Sequence, residues 1–167
     1  FNNDRKARGE VEINIGIGLH TGPMMLGTIG DKERMDVTVI SDAVNLASRL
    51  DGLTNRFGCR IAMSEMTYSK LSNPEKFDHR FLGRIQVKGK TAPVPVYEIY
   101  EGDSSEIRSL KNETREKFEE GLHQYFEKNF AEAIVLFKHV LDKNSEDKTA
   151  LFYLKRAAEL VVSGVPD

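Results

Sequence analysis

The sequence predicts an α+β chain: a sheet-and-helix domain over residues 1–101 and an all-helical extension over residues 105–163. Three observations carry this. Strand signals recur up to Tyr100: Val11, Ile13, Ile15, Ile17 and Leu19 alternate with polar or glycine positions, Val37 to Ile40 is a run of β-formers, and Val94 to Tyr100 alternates again. Beyond Glu101 the periodicity is helical only, in stretches beginning near Ile107, Phe130 and Lys148. The charge balance turns at the same place, with 14 basic against 12 acidic residues up to Tyr100 and 10 against 14 after it.

Composition narrows the class. The 167 residues are 40% hydrophobic and 30% charged, which suits a globular protein. A net charge of −2 gives no strong pull toward nucleic acid or an anionic membrane, and no apolar run is long enough to span a bilayer. The polar start, Phe1-Asn2-Asn3-Asp4-Arg5, carries no initiating Met and no signal peptide, and reads as a cut in a longer protein. The single cysteine, Cys59, excludes an internal disulfide and a cysteine metal cluster; in an apparent strand it is expected as a buried, inert thiol. A cytoplasmic location fits.

Residues 1–10 are charged and end a helix or form a loop. Val11 to Leu19 follows as a strand with one apolar face, Gly16 and Gly18 leaving room for close packing on the other. His20-Thr21-Gly22-Pro23 turns the chain, Met24 to Ile29 is a short strand, and Asp31 to Arg34 is a solvated hairpin tip. After Val37 to Ile40, Ser41 and Asp42 stop the strand and offer a helix N-cap. On the helix that follows, Val44, Ala47 and Leu50 share one side, and Asn45, Arg49, Gly52 and Arg56 share another. Gly58 stops this helix. Next come a strand at Arg60 to Ser64, a short helix capped by Ser64, and Phe77 to Leu82 with Arg84 to Val87 as a strand or strand pair broken by Gly83. Lys88-Gly89-Lys90 is a turn, and Val94 to Tyr100 closes the domain, its prolines pushing its start toward a sheet edge.

Asn45 and Arg49 are four apart, so their side chains are neighbours about 6 Å apart along the helix axis. An amide and a guanidinium near the start of a helix suit a phosphate or a sugar hydroxyl, although an Asn and an Arg on a polar face are commonly just solvated. The wider strings decide between these. "GIGLHTGPMMLGTIG", "VTVISDAVNLASRL" and "VKGK" resemble, in that order, three motifs of the class III adenylate/guanylate cyclase catalytic domain: the G-x-H-x-G strand and turn, the V-N-x-A-x-R helix and the V-K-G-K hairpin. The resemblance runs from about Ile13 to Tyr100, roughly the second half of such a domain.

The resemblance implies a ferredoxin-like α+β sheet domain that works as a homodimer and makes cyclic AMP from ATP. Asn45 would position the ribose and Arg49 would stabilise the transition-state phosphate. Lys88 would hold the terminal phosphates, with Lys90 two residues on as the alternative. Thr38, seven residues before Asn45, falls at the base-selecting position, where a hydroxyl can accept from the adenine amino group. His20 falls at a structural position, and Asp42 is a helix N-terminal residue rather than a metal ligand. The reaction uses Mg2+ or Mn2+ in the intact domain, but the family's two metal-binding aspartates and its adenine-contacting lysine lie before Val11, and nothing in residues 1–10 resembles them. No metal ligand is therefore assigned here, and these residues alone are expected to be inactive. Ser41 departs from the family's usual glycine.

In the extension, Gly121, Phe130, Ala133 and Phe137 resemble a tetratricopeptide helix pair, in which small residues let two helices approach and Phe fills the groove; Gln124 and Ser145 depart from that pattern. A lone repeat cannot bury its face, so it must pack on the cyclase-like part, on a protein partner or on another copy. Two alternatives stand beside the enzyme: a non-catalytic cyclase-homology module for regulation or dimerisation, which Ser41 favours, and a scaffold whose helical tail binds peptides.

Overall fold

A computed structural model describes residues 1–31, 34–86 and 92–164, with side chains for all of these except Asn3, 29–31 and 34–40. A short helix α1 (Asn2–Ala7) precedes strands β1 (Ile17–Leu19), β2 (Met25–Asp31) and β3 (Arg34–Ile40). Helix α2 (Asp42–Phe57), strand β4 (Ile61–Ser64), helix α3 (Glu65–Tyr68) and strands β5 (His79–Ile85) and β6 (Val94–Ile99) follow, then helices α4 (Ser105–Phe126), α5 (Phe130–Lys143) and α6 (Lys148–Ser163). The main sheet has the order β1-β4-β6-β5, with β1 parallel to β4 and the other pairs antiparallel. The hairpin β2–β3 forms a separate two-stranded sheet. The chain is thus α+β, with strand and helix mixed up to Ile99 and helix alone beyond.

Helix α2 is written into its ends. Ser41, in extended backbone at φ −167°, accepts from the Val44 amide at 3.3 Å, and Asp42 adds a negative charge to the first turn. Gly58 closes the helix in the left-handed region at φ 67°. The buried stripe is Leu46, Leu50, Thr54 and Phe57. This differs from the side expected from Val44, Ala47 and Leu50: Val44 is 42% exposed, because β1 and β4 pack against the Leu46–Leu50 face. Strand β1 approaches so closely that a Cβ on Gly18 would stand 2.2 Å from the Ala47 carbonyl oxygen, which explains the glycine there.

One strand is shorter than its alternation predicts. The strand expected over Val11 to Leu19 forms only at Ile17–Leu19, leaving Val11 82% and Ile15 69% exposed. Its partner β4 begins at Ile61, opposite Ile17, and alternation without a neighbouring ladder does not make a strand. Of the two readings of Phe77 to Val87, a single strand is the one found, β5 from His79 to Ile85, interrupted by a bulge at Gly83, whose φ of 115° only glycine adopts readily; Val87 lies outside the described residues. The start of β6 lies at an edge as its prolines predict: the strand is interior from Val96 onward, where β4 pairs with it, while Pro95 has β5 alone as a neighbour and its missing N–H removes nothing from the β4 ladder.

The helical extension packs on the sheet. Its core is Phe118, Leu122, Ala133, Phe137, Val140, Ala150 and Tyr153, with Phe130 and Leu141 half-buried. Gly121 lets α5 approach: a Cβ there would meet the Phe137 ring at 2.9 Å. Tyr153 donates to the Leu82 carbonyl of β5 at 2.8 Å, Thr149 donates to the Phe57 carbonyl at 3.2 Å, and Glu119 accepts from the Phe81 amide at 3.0 Å. Of the three coverings open to this apolar face, the sheet domain of the same chain is the one found.

A buried ionic cluster pins the joint. Arg80 on β5 is 1% exposed and donates to Glu98 on β6 at 2.7 Å and to Asp147, the N-cap of α6, at 2.5 Å. Its guanidinium lies 4.3 Å from the centre of the Phe118 ring. Lys111 on α4 donates to Glu98 at 2.5 Å and Asp103 at 2.7 Å. Burial opposes the charge on Arg80, but Glu98 and Asp147 raise its pKa further above the usual value. Burial works against the Asp147 carboxylate too, and Arg80 more than offsets it, holding that carboxyl below its ordinary range.

Candidate functional site

The buried face of α2 determines what its other face presents. With Leu46 and Leu50 turned into the core, Asn45 and Arg49 project into solvent, both exposed. Neither side chain has a carboxylate partner among the described residues, so their donors are available to a ligand. Thr38 lies on β3, the strand that feeds α2 through Ser41, and pairs in register with Gly27. Lys88 and Lys90 lie outside the described residues. The structure therefore brings Asn45 and Arg49 together on one helical face and places Thr38 on the strand leading into it.

Arg49 also borders a groove of about 530 Å³ between α2, β5 and α6, shared with Arg56 and Arg84. Sequence reading put Arg56 on the Asn45–Arg49 face but missed Arg84 and the tail's Phe152, because only folding brings α6 to that face. It also missed the Arg80 cluster, although a signal existed. Arg80 stands two residues before Leu82, and Glu98 two after Val96, which puts both charges on inward-facing strand positions.

Two residues with reactive side chains, His20 and Cys59, have structural surroundings. His20 Nδ1 and the Ser64 hydroxyl share a hydrogen bond of 2.7 Å, tying the turn after β1 to the end of β4. Cys59 is buried, and burial, followed by the nearby Glu98 carboxylate, pushes its thiol up to about 12, so it stays protonated and unreactive at neutral pH.

Divalent-metal chemistry needs clustered carboxylates. Among the described residues no three of His, Cys, Asp and Glu converge as a metal site would require. The carboxylates of the described residues therefore do not by themselves fit a metal centre.

Residues 2–101 match the adenylate and guanylate cyclase catalytic domain family. An adenylate cyclase of Anabaena cylindrica is 42% identical over 104 residues, covering 59% of this chain and 21% of that protein. The terminal-differentiation-specific adenylate cyclase of Dictyostelium discoideum is 30% identical over 148 residues, 88% of this chain and 7% of that protein, a match long enough to run into the helical tail. The solved adenylyl cyclase CyaB from P. aeruginosa is 33% identical with a TM-score of 0.47, covering 58% of this chain and 48% of that one. The chain thus spans 21% and 7% of the length of these two curated relatives. With three ordered motifs and a match over residues 2–101, the chain belongs to the adenylate and guanylate cyclase catalytic domain family.

Proposed function

We propose that this chain is part of an adenylate cyclase that converts ATP to 3′,5′-cyclic AMP and pyrophosphate. It carries the ribose- and phosphate-binding half of the site. The observation that carries this is the pair Asn45 and Arg49, exposed on one face of α2, with no carboxylate among the described residues to neutralise the guanidinium. In the reaction the ribose 3′-oxygen bonds to the α-phosphorus, its proton leaves, and the bond to the bridging oxygen of pyrophosphate breaks. Asn45 orients the ribose, and Arg49 offers a planar fork of donors to the α-phosphate as its charge redistributes. Thr38 selects adenine, and Lys88, with Lys90 as the alternative, holds the terminal phosphates. Mg2+ or Mn2+ belongs to the intact domain, and the working unit is a homodimer in the cytoplasm. No described helix is long and apolar enough to cross a membrane. Nothing in residues 1–10 resembles the family's two metal-binding aspartates, so the 167 residues alone are inactive.

The non-catalytic reading rested on Ser41. At φ −167° the backbone there needs no glycine, and the side chain caps α2, so this departure gives that reading no support. The experiment is Arg49→Ala in the longer protein. Turnover should fall about 10²–10³-fold with the KM for ATP nearly kept, as expected for a donor acting mainly in the transition state. Near-normal turnover would remove Arg49 from the mechanism. Metal-dependent cyclic AMP formation by the 167 residues, lost in Arg49→Ala, would overturn the half-site.

A further inference from the structure

The groove between α2, β5 and α6 is lined by Arg49, Arg56 and Arg84, and among the described residues no carboxylate lines it. Six arginines elsewhere, Arg5, Arg8, Arg60, Arg80, Arg108 and Arg156, each pair with a carboxylate, while Arg115 on α4 does not. The three in the groove pair with no carboxylate among the described residues. Like charges converging on one concave surface repel, and without an anion between them nothing local offsets that repulsion.

The arginines are also held in a particular way. Arg56 lies 4.4 Å from the centre of the Phe152 ring on α6, and Arg84 lies 5.7 Å from that of Phe126 on α4. A guanidinium resting by its face on an aromatic ring keeps its in-plane N–H groups available, the edge that grips a phosphate with two parallel hydrogen bonds. Arg49 and Arg56 are seven residues apart, two turns or about 10 Å along one face of α2. Between them Gly52 leaves open space. Three spread cations suit a chain of phosphates better than a single one.

We propose that this groove binds the phosphate chain of a polyphosphate, with Arg56 and Arg84 as its clamp and Arg49 joining it to the candidate cyclase site. The proposal deepens the cyclase reading and rests on it only at Arg49. The helical tail is part of the site, because its aromatic residues set the two clamp guanidiniums. The ligand chemistry has two sources, inorganic pyrophosphate and the triphosphate of a nucleotide.

The test is calorimetric titration of the 167-residue chain at low salt without divalent ions, so that no turnover is involved. Inorganic pyrophosphate should bind at least tenfold more tightly than inorganic phosphate. Arg56→Gln with Arg84→Gln should weaken pyrophosphate at least tenfold, and Phe152→Leu should weaken it several-fold. Lys70→Gln with Lys138→Gln, which removes the same charge from exposed positions elsewhere, should change it little. Circular dichroism confirms that each variant is folded. ATP competing with pyrophosphate assigns the groove to the nucleotide's own phosphates; ATP failing to compete makes it a separate polyphosphate site, and both uphold the proposal. No pyrophosphate binding, equal binding of phosphate, or equal weakening by the lysine pair would overturn it. Because this readout is binding to the isolated chain, its failure would leave the Arg49→Ala turnover result standing, and the reverse.

Discussion

Replacing Arg80 by alanine should be the most damaging single change in the joint between sheet and tail. Arg80 is 1% exposed and holds two carboxylates, Glu98 at 2.7 Å and Asp147 at 2.5 Å, that are themselves buried. Removing the guanidinium takes a partner from both. Glu98 keeps Lys111 at 2.5 Å, but Asp147 keeps only the Ala150 amide at 3.0 Å and must either carry a charge in a low dielectric or take up a proton. Breaking a buried pair in this way costs about 3–5 kcal/mol. That is a large share of the roughly 5–15 kcal/mol that holds a domain folded. At about 2–4 °C per kcal/mol for a chain of this size, the melting temperature should fall by roughly 6–20 °C. Arg156→Ala supplies the contrast, since its pair with Glu159 at 3.2 Å has both side chains at least half exposed and is worth at most about 1 kcal/mol. Urea unfolding followed by circular dichroism measures both. If Arg80→Ala loses less than about 1 kcal/mol, or no more than Arg156→Ala, burial does not give the cluster its weight and the reasoning fails.

Other outcomes follow from the same physics. Thr38→Val in the longer protein should erode the preference for ATP over GTP more than it lowers stability, since shape is kept and the hydroxyl lost; an unchanged preference in a folded variant would make Thr38 an ordinary strand residue. Gly121→Val should destabilise by about 1–3 kcal/mol by forcing α5 away from α4, because even a Cβ meets the Phe137 ring at 2.9 Å, and an unchanged urea midpoint would refute that contact. Acid should also loosen the joint. Arg108 holds the Asp78 carboxyl below its ordinary range through a hydrogen bond, and Asp147 is lowered as well once Arg80 outweighs its burial. For a depressed carboxyl the unfolded state binds more protons, so the stability is present above about pH 4 and lost as pH falls through the lower folded values. The urea midpoint should therefore drop between pH 5 and pH 2; a flat profile would show that neither pair contributes.

Much of this protein is local, and local features were legible. Ser41 capping α2, Gly58 ending it and Ser64 capping α3 are each set by residues within a turn of the helix end, so their chemistry is visible in the string. The three tail helices carry their own periodicity, and the pair Asn45–Arg49 follows from a spacing of four on a helix. The order of three motifs pointed to the family that residues 2–101 match. Tertiary structure decided what depends on distant neighbours. Strand β1 shrank to Ile17–Leu19 because a strand lasts only as long as its partner, and β6 became interior because two ladders reach it. Arg80 meets Asp147 across 67 positions of sequence, and Arg56 meets Phe152 of the tail. Such contacts have no period and no fixed spacing. They arise when buried apolar faces bring separate elements together, and the charges carried along must then find one another or, in the groove between α2, β5 and α6, a ligand.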